Sequence, residues 1–180
     1  IAIFIGAALV LFGKKTRTNQ IGEIIIGFGV LFIGIEMMSN GVQPLSELEG
    51  FTNAFKEFGK NPILGLGVGL VVTAIIQSSS ASVGILIALA ANGLVTWDSA
   101  VYIIMGQNIG TCATALLSGI GASKNAKGAA YIHLMFNVIG SIIFSIIAYV
   151  FFIINPQFGS NVITPYEISI VHSVFNIANT

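Results

Sequence analysis

The sequence predicts an all-α integral membrane protein, built from transmembrane helices, a re-entrant helical hairpin and a broken helix. Three observations carry that expectation. Of 180 residues, 55% are hydrophobic and only 8% are charged, where a soluble domain carries about a quarter. Mean hydropathy is +0.94. Apolar runs of roughly membrane-crossing length alternate with short polar turns. Lys and Arg balance Asp and Glu at seven each, so nothing points to nucleic acid as a partner. The single cysteine, Cys112, excludes an internal disulfide and any cysteine-based metal site.

The chain reads as one membrane domain, 1–180. It starts at Ile1 inside an apolar run and stops at Thr180 soon after "IVHSVFNIAN" has begun another, so it is expected to be a piece of a longer protein. Residues 1–43 are scaffold helices. Ile1–Gly13 forms the first span, and no small-residue cleavage signal follows it, which argues against a signal peptide. Lys14–Gln20, "KKTRTNQ", reads as a basic loop. Ile21–Met38 is the second span. Its glycines, Gly22, Gly27, Gly29 and Gly34, allow close helix contact without the strict GxxxG register.

Residues 44–61 suggest an amphipathic helix on the membrane surface. Phe51, Phe55 and Phe58 recur at helical spacing among Glu47, Glu49, Lys56 and Glu57. Asn61 followed by Pro62 is a helix start, with Asn as N-cap and Pro at the first position.

Residues 62–93 pose a length problem. A straight helix of roughly 30 residues would reach about 45 Å, well beyond a hydrocarbon core of about 30 Å. Two half-helices of roughly 15 and 11 residues would each pass the midplane and turn back. The polar run Gln77, Ser78, Ser79, Ser80 falls where that turn belongs. Charge placement agrees. If the segment turns back, Lys14, Lys15, Arg17, Lys124 and Lys127 all lie on the cytoplasmic side. If it crosses, the last two are stranded outside.

Residues 96–119 read as a broken helix. Thr96 is the N-cap and Asp98 sits in the first turn. Within "GQNIGT", Gly106 and Gly110 bracket an expected unwinding, after which Thr111 would cap the continuation. Residues 126–180 supply the closing helices. "TPYE", Thr164–Glu167, is a capping box that opens the last of them.

A turn at mid-depth leaves backbone groups without helical partners, so it must be buried in protein or line a cavity. The first half-helix, ending near Gln77, exposes carbonyls suited to a cation. The second, beginning near Ser80, exposes N–H groups suited to an anion. Gln107, Asn108 and Thr111 add oxygens at similar depth, and no Lys or Arg lies near either motif in sequence. An anion held here needs helix ends, hydroxyls and co-bound cations, which is the logic of a cation-coupled carrier.

"QSSSA", followed by "GQNIGT" and then by "HLMFN" and "HSVFN", resembles the type II sodium/phosphate cotransporter family and its bacterial relatives. "GFGVLFIGIEMMSNGVQPL", Gly27–Leu45, resembles the helix that opens a repeat of that family. The resemblance covers about Gly22 to Thr180. It implies the second of two inverted repeats, with the other repeat absent from this chain. It further implies sodium-coupled uptake of inorganic phosphate across the plasma membrane, with a homodimer as a possible assembly. Substrate contacts fall on Gln77, Ser78, Ser79 and Ser80, and sodium contacts on Gln77, Ser78, Asn108 and Thr111. Sodium is a co-transported ion in that scheme. Gln107 stands where relatives often carry a small residue and Cys112 where they often carry Thr. Both departures bear on cation selectivity.

Other readings of the same residues are a passive anion channel and an intramembrane serine hydrolase pairing a serine with His133 or His172. No nucleophile elbow supports the hydrolase. The repeated H-x-x-F-N pattern, His133–Asn137 and His172–Asn176, reads as polar ties between helices. Glu36 is interfacial or bonds a broken helix, and Glu23 is a surface partner of the basic loop. Cys112 reads as a small packing residue.

Overall fold

The computed structural model describes residues 1–42, 44, 48–50, 53, 57–58 and 61–179. Among them there are helices, turns and one isolated antiparallel bridge, Thr96 to Val162, but no strand. Helix α1 (Ala2–Phe12) packs on α2 (Thr16–Val42) through glycines. A Cβ on Gly6 would lie 2.6 Å from the Gly22 carbonyl, and one on Gly22 2.7 Å from the Gly6 carbonyl. A side chain at either position would force the helices apart. The basic loop expected over Lys14–Gln20 is mostly helix, because α2 already starts at Thr16. Polar residues suit a helix end that projects beyond the hydrocarbon, so polarity alone did not mark the turn. Of the residues on which the amphipathic helix expected over 44–61 rests, Glu47, Phe51, Phe55 and Lys56 lie outside the described residues, while Glu49, Glu57 and Phe58 lie within them.

Helix α3 (Pro62–Ile76) starts as its sequence requires: Asn61 Oδ1 accepts from Ile63 N at 3.0 Å and Leu64 N at 3.4 Å. Helix α4 (Ser79–Ala91) follows after two residues, and α5 (Trp97–Ser118) after a short turn. At about 22 Å and 20 Å, α3 and α4 are each too short to cross a core of about 30 Å. Their arms fold back on each other. Thr73 and Ser82 are hydrogen-bonded near the tip, and Val68 and Leu89 line one small cavity further down.

The run of α5 is that of a chain reversed between α3 and α4. Gly65 faces Tyr102, and Thr73 faces Gly110, so α3 and α5 are parallel. A single crossing by residues 62–91, followed by α5, would have made them antiparallel. Both ends of the hairpin therefore open on one side. There Asn92 Nδ2 donates to the Ser39 carbonyl at 3.2 Å, which places the C-terminal end of α2 at the same level. Lys14, Lys15 and Arg17 sit about 35 Å away along α2, at the end where α5 finishes and Lys124 and Lys127 open α6.

Helix α5 runs unbroken from Trp97 to Ser118, so the unwinding expected at "GQNIGT" does not occur. Its glycines have another use. A Cβ on Gly106 would collide with the Leu66 carbonyl, and one on Gly110 would stand 2.6 Å from the Leu70 carbonyl. The glycines are notches into which α3 settles, and the helical ladder continues through them. Thr111 caps nothing; its hydroxyl donates to the Gln107 carbonyl at 2.9 Å.

Helix α6 (Lys124–Ile154), the single turn α7 (Pro156–Gly159) and α8 (Pro165–Asn179) close the fold. Glu167 and Thr164 form the expected capping box, with Thr164 N to Glu167 Oε2 at 2.7 Å. Ser141 donates to the Met105 carbonyl at 3.0 Å and pins α6 antiparallel to α5. Phe144 and Phe175 meet edge to face at 5.1 Å and bring α8 onto α6. The core gathers around α5, whose Ile103, Ile104 and Met105 pack with Leu86, Leu89, Ile163, Ile168 and Phe175. Among the described residues, three helices are long and apolar enough to cross a membrane: Thr16–Gly41, Trp97–Ser118 and Lys124–Ile154. Of these α5 is central, 56% buried, while α2 and α6 are 11% and 17% buried and present apolar surface outward.

Candidate functional site at the hairpin tip

The tip is made by two residues with opposite backbone conformations. Gln77 has φ 57° and ψ 22°, the left-handed region, and its N–H donates to the Thr73 carbonyl at 2.8 Å. A non-glycine residue there costs about 1–2 kcal/mol relative to the right-handed helix, so the surrounding packing must hold the turn. Ser78 is extended and caps α4, its Oγ accepting from Ala81 N at 3.3 Å. The last carbonyls of α3 and the N–H groups of Ser79 and Ser80 have no intrahelical partners. They give the tip a partial negative and a partial positive end.

Just below the tip, the two arms and α5 share a buried polar cluster. Thr73 Oγ1 donates to Ser82 Oγ at 2.7 Å, and Gln107 Nε2 donates to both Ser82 Oγ and the Ser82 carbonyl at 3.0 Å. Gln107 Oε1 is buried without a partner. The cluster ties α3, α4 and α5 together and sets the height of the tip against α5.

Beside the tip lies a cavity of about 410 Å³. Ser79 from α4, Asn108 and Thr111 from α5, His133, Phe136 and Asn137 from α6, and His172, Asn176 and Asn179 from α8 line it. No Lys, Arg, Asp or Glu is among them. Asn108 commits an amide N–H to the Ile104 carbonyl at 2.8 Å and leaves Oδ1 as an acceptor. Thr111, its proton on Gln107, likewise offers lone pairs. The α5 wall is thus rich in acceptors, as a cation needs.

Of the residues singled out in the sequence, Ser79, Asn108 and Thr111 meet in this cavity. Gln77, Ser78 and Ser80 lie outside its lining: Gln77 and Ser80 are exposed, and Ser78 is engaged as a cap. Of the H-x-x-F-N residues, read as ties between helices, His133, Phe136, Asn137, His172 and Asn176 also line the cavity. Each asparagine turns an amide N–H to its own helix, Asn137 to the His133 carbonyl at 3.0 Å and Asn176 to the His172 carbonyl at 2.7 Å. The repetition of the motif at i, i+4 was the available signal. Glu36 is exposed on α2, and Cys112 is buried with Sγ 3.7 Å from the His133 carbonyl.

These features define an integral membrane protein with a short helical hairpin whose tip faces a polar cavity. The chain belongs to the Na+/Pi-cotransporter family, whose model matches residues 1–40 and 33–155. It is 33% identical over 138 residues to the uncharacterized protein YqeW of Bacillus subtilis, covering 77% of this chain and 45% of that protein. It is 29% identical over 141 residues to the putative inorganic phosphate export protein YjbB of Escherichia coli K12, covering 78% and 26%. Sodium-dependent phosphate transport protein 2A of the rat is 38% identical over 94 residues, 51% and 15% of the two chains. The chain thus spans less than half the length of these relatives. No solved structure matches it significantly.

Proposed function

We propose that this chain forms one half of a sodium-coupled carrier of inorganic phosphate in the plasma membrane, with a second, inverted repeat supplying the other half. The observation that carries the reading is the cavity that joins Ser79, Asn108 and Thr111 beside the break between α3 and α4. The start of α4 and the Ser79 hydroxyl suit the anion. Asn108 Oδ1, Thr111 Oγ1 and the carbonyl end of α3 suit sodium. Gln77 and Ser80 stay exposed in this half, where the complementary repeat would meet them; Ser78 shapes the turn. An inward sodium gradient drives uptake. The family is one of transporters rather than enzymes.

The test uses the full-length protein in proteoliposomes with labelled phosphate. Flux should follow an imposed sodium gradient in either direction and fall at least about tenfold in Ser79→Ala and Asn108→Ala. Flux that persists without any cation gradient would favour a passive channel. Labelling by a fluorophosphonate, blocked in Ser79→Ala, would favour a hydrolase.

A further inference from the structure

Anion recognition needs donors, and few of those on the cavity walls can also carry a charge. Asn108, Thr111 and Asn137 each commit a proton to a backbone carbonyl of their own helix. Asn108 and Asn137 each keep a second amide N–H. Beside them the walls carry the N–H groups and hydroxyl that begin α4, and two imidazoles, His133 and His172, neither of which makes a side-chain hydrogen bond within the described residues. Among the described residues they are the only side chains lining the cavity that can carry a positive charge.

Their placement is informative. Asn179 of α8 packs on Gly140 of α6, where the two helices approach. His133 lies seven residues from Gly140, and His172 seven residues from Asn179. Each is about 10 Å along its own helix from that contact, and the helices run in opposite directions. His133 therefore stands toward the basic end, beside Cys112, and His172 toward the hairpin mouth.

We propose that His172 and His133 are two anion-contacting stations, one at each end of the cavity, with the start of α4 between them. Resting on the transport reading above, this adds a polarity to the route: an anion arriving from the hairpin-mouth side meets His172 first, and one arriving from the basic side meets His133 first. A neutral imidazole suffices, since it keeps one N–H donor.

The experiment measures phosphate KM from each face, in right-side-out and inside-out vesicles of the full-length protein. His172→Leu should raise KM about tenfold or more for phosphate on the hairpin-mouth face and little on the other, the loss expected for one hydrogen bond to a charged group. His133→Leu should do the reverse. His→Gln, which keeps an N–H donor, should restore most of each loss. Unchanged KM on both faces, equal effects on both faces, or no rescue by Gln would overturn the proposal. If wild-type vesicles show no sodium-driven phosphate flux, the transport reading fails by itself. Titration of inorganic phosphate onto detergent-purified protein then decides the histidines: binding weakened in both Leu variants supports them, and undiminished or absent wild-type binding overturns them.

Discussion

Gln107 reaches across from α5 to grip Ser82 of the hairpin twice, Nε2 standing 3.0 Å from the Ser82 hydroxyl and 3.0 Å from its carbonyl oxygen. Ser82 in turn receives Thr73 from the opposite arm. Three helices that meet mainly through glycine and aliphatic contacts are thereby indexed by one polar knot. It lies less than two turns below Ser79 and joins α5 directly to both arms of the hairpin.

Gln107→Ala should lower stability by about 1–3 kcal/mol, the range for a buried hydrogen-bonding group left without its partner. Thermal unfolding in detergent reads this. Combined with Ser82→Ala, the losses should fall short of their sum, because both remove the same interactions. Strict additivity would show that the two residues do not act together.

The glycine seam between α3 and α5 predicts a sharp contrast. Gly69 and Gly106 press on backbone atoms of Ile103, Gln107 and Leu66, whereas Gly67 has nothing within 4 Å of a Cβ. Gly69→Val and Gly106→Val should abolish monodisperse protein on size exclusion. Gly67→Ala should leave the protein intact and gain about 0.5–1 kcal/mol from helix propensity. Tolerance of valine at both seam positions would refute the close approach.

Hairpin topology can be read by cysteine labelling in a Cys112→Ala background. Cysteines at Asn61 and Gly93 should react with an impermeant maleimide from the same side of the membrane, and one at Ser123 from the other. Labelling of Asn61 and Gly93 from opposite sides would mean that residues 62–93 cross.

The left-handed backbone at Gln77 separates its conformation from its side chain. Gln77→Gly adopts that φ without strain and should hold stability constant or raise it by up to ~1 kcal/mol. Transport should nevertheless fall if the amide contacts an ion with help from the complementary repeat. Full transport in the glycine variant would reduce Gln77 to a turn residue.

How far the fold was legible in the sequence differs from element to element. Asn61–Pro62, Thr96 and Thr164–Glu167 mark helix starts through local hydrogen bonds, and each stands where its signature lies. The break at Gln77–Ser78 was legible because four consecutive polar residues in an apolar run have few other uses in lipid. The break expected at "GQNIGT" is absent, because α5 is continuous there. Glycine reads the same whether it unwinds a helix or lets a neighbour approach, and only the presence of Leu66 and Leu70 opposite Gly106 and Gly110 decides between them.

Composition, apolar run length and charge placement determined on their own that this chain is a helical membrane protein with a reversal near Gln77, because bilayer thickness and backbone hydrogen bonding leave few alternatives. Which polar residues share a cavity was decided only by tertiary structure. Ser79, Asn108, His133 and His172 come from four helices and are brought together by seams and crossings whose partners lie far apart along the chain. Local sequence sets the direction of each helix but not the neighbour it meets.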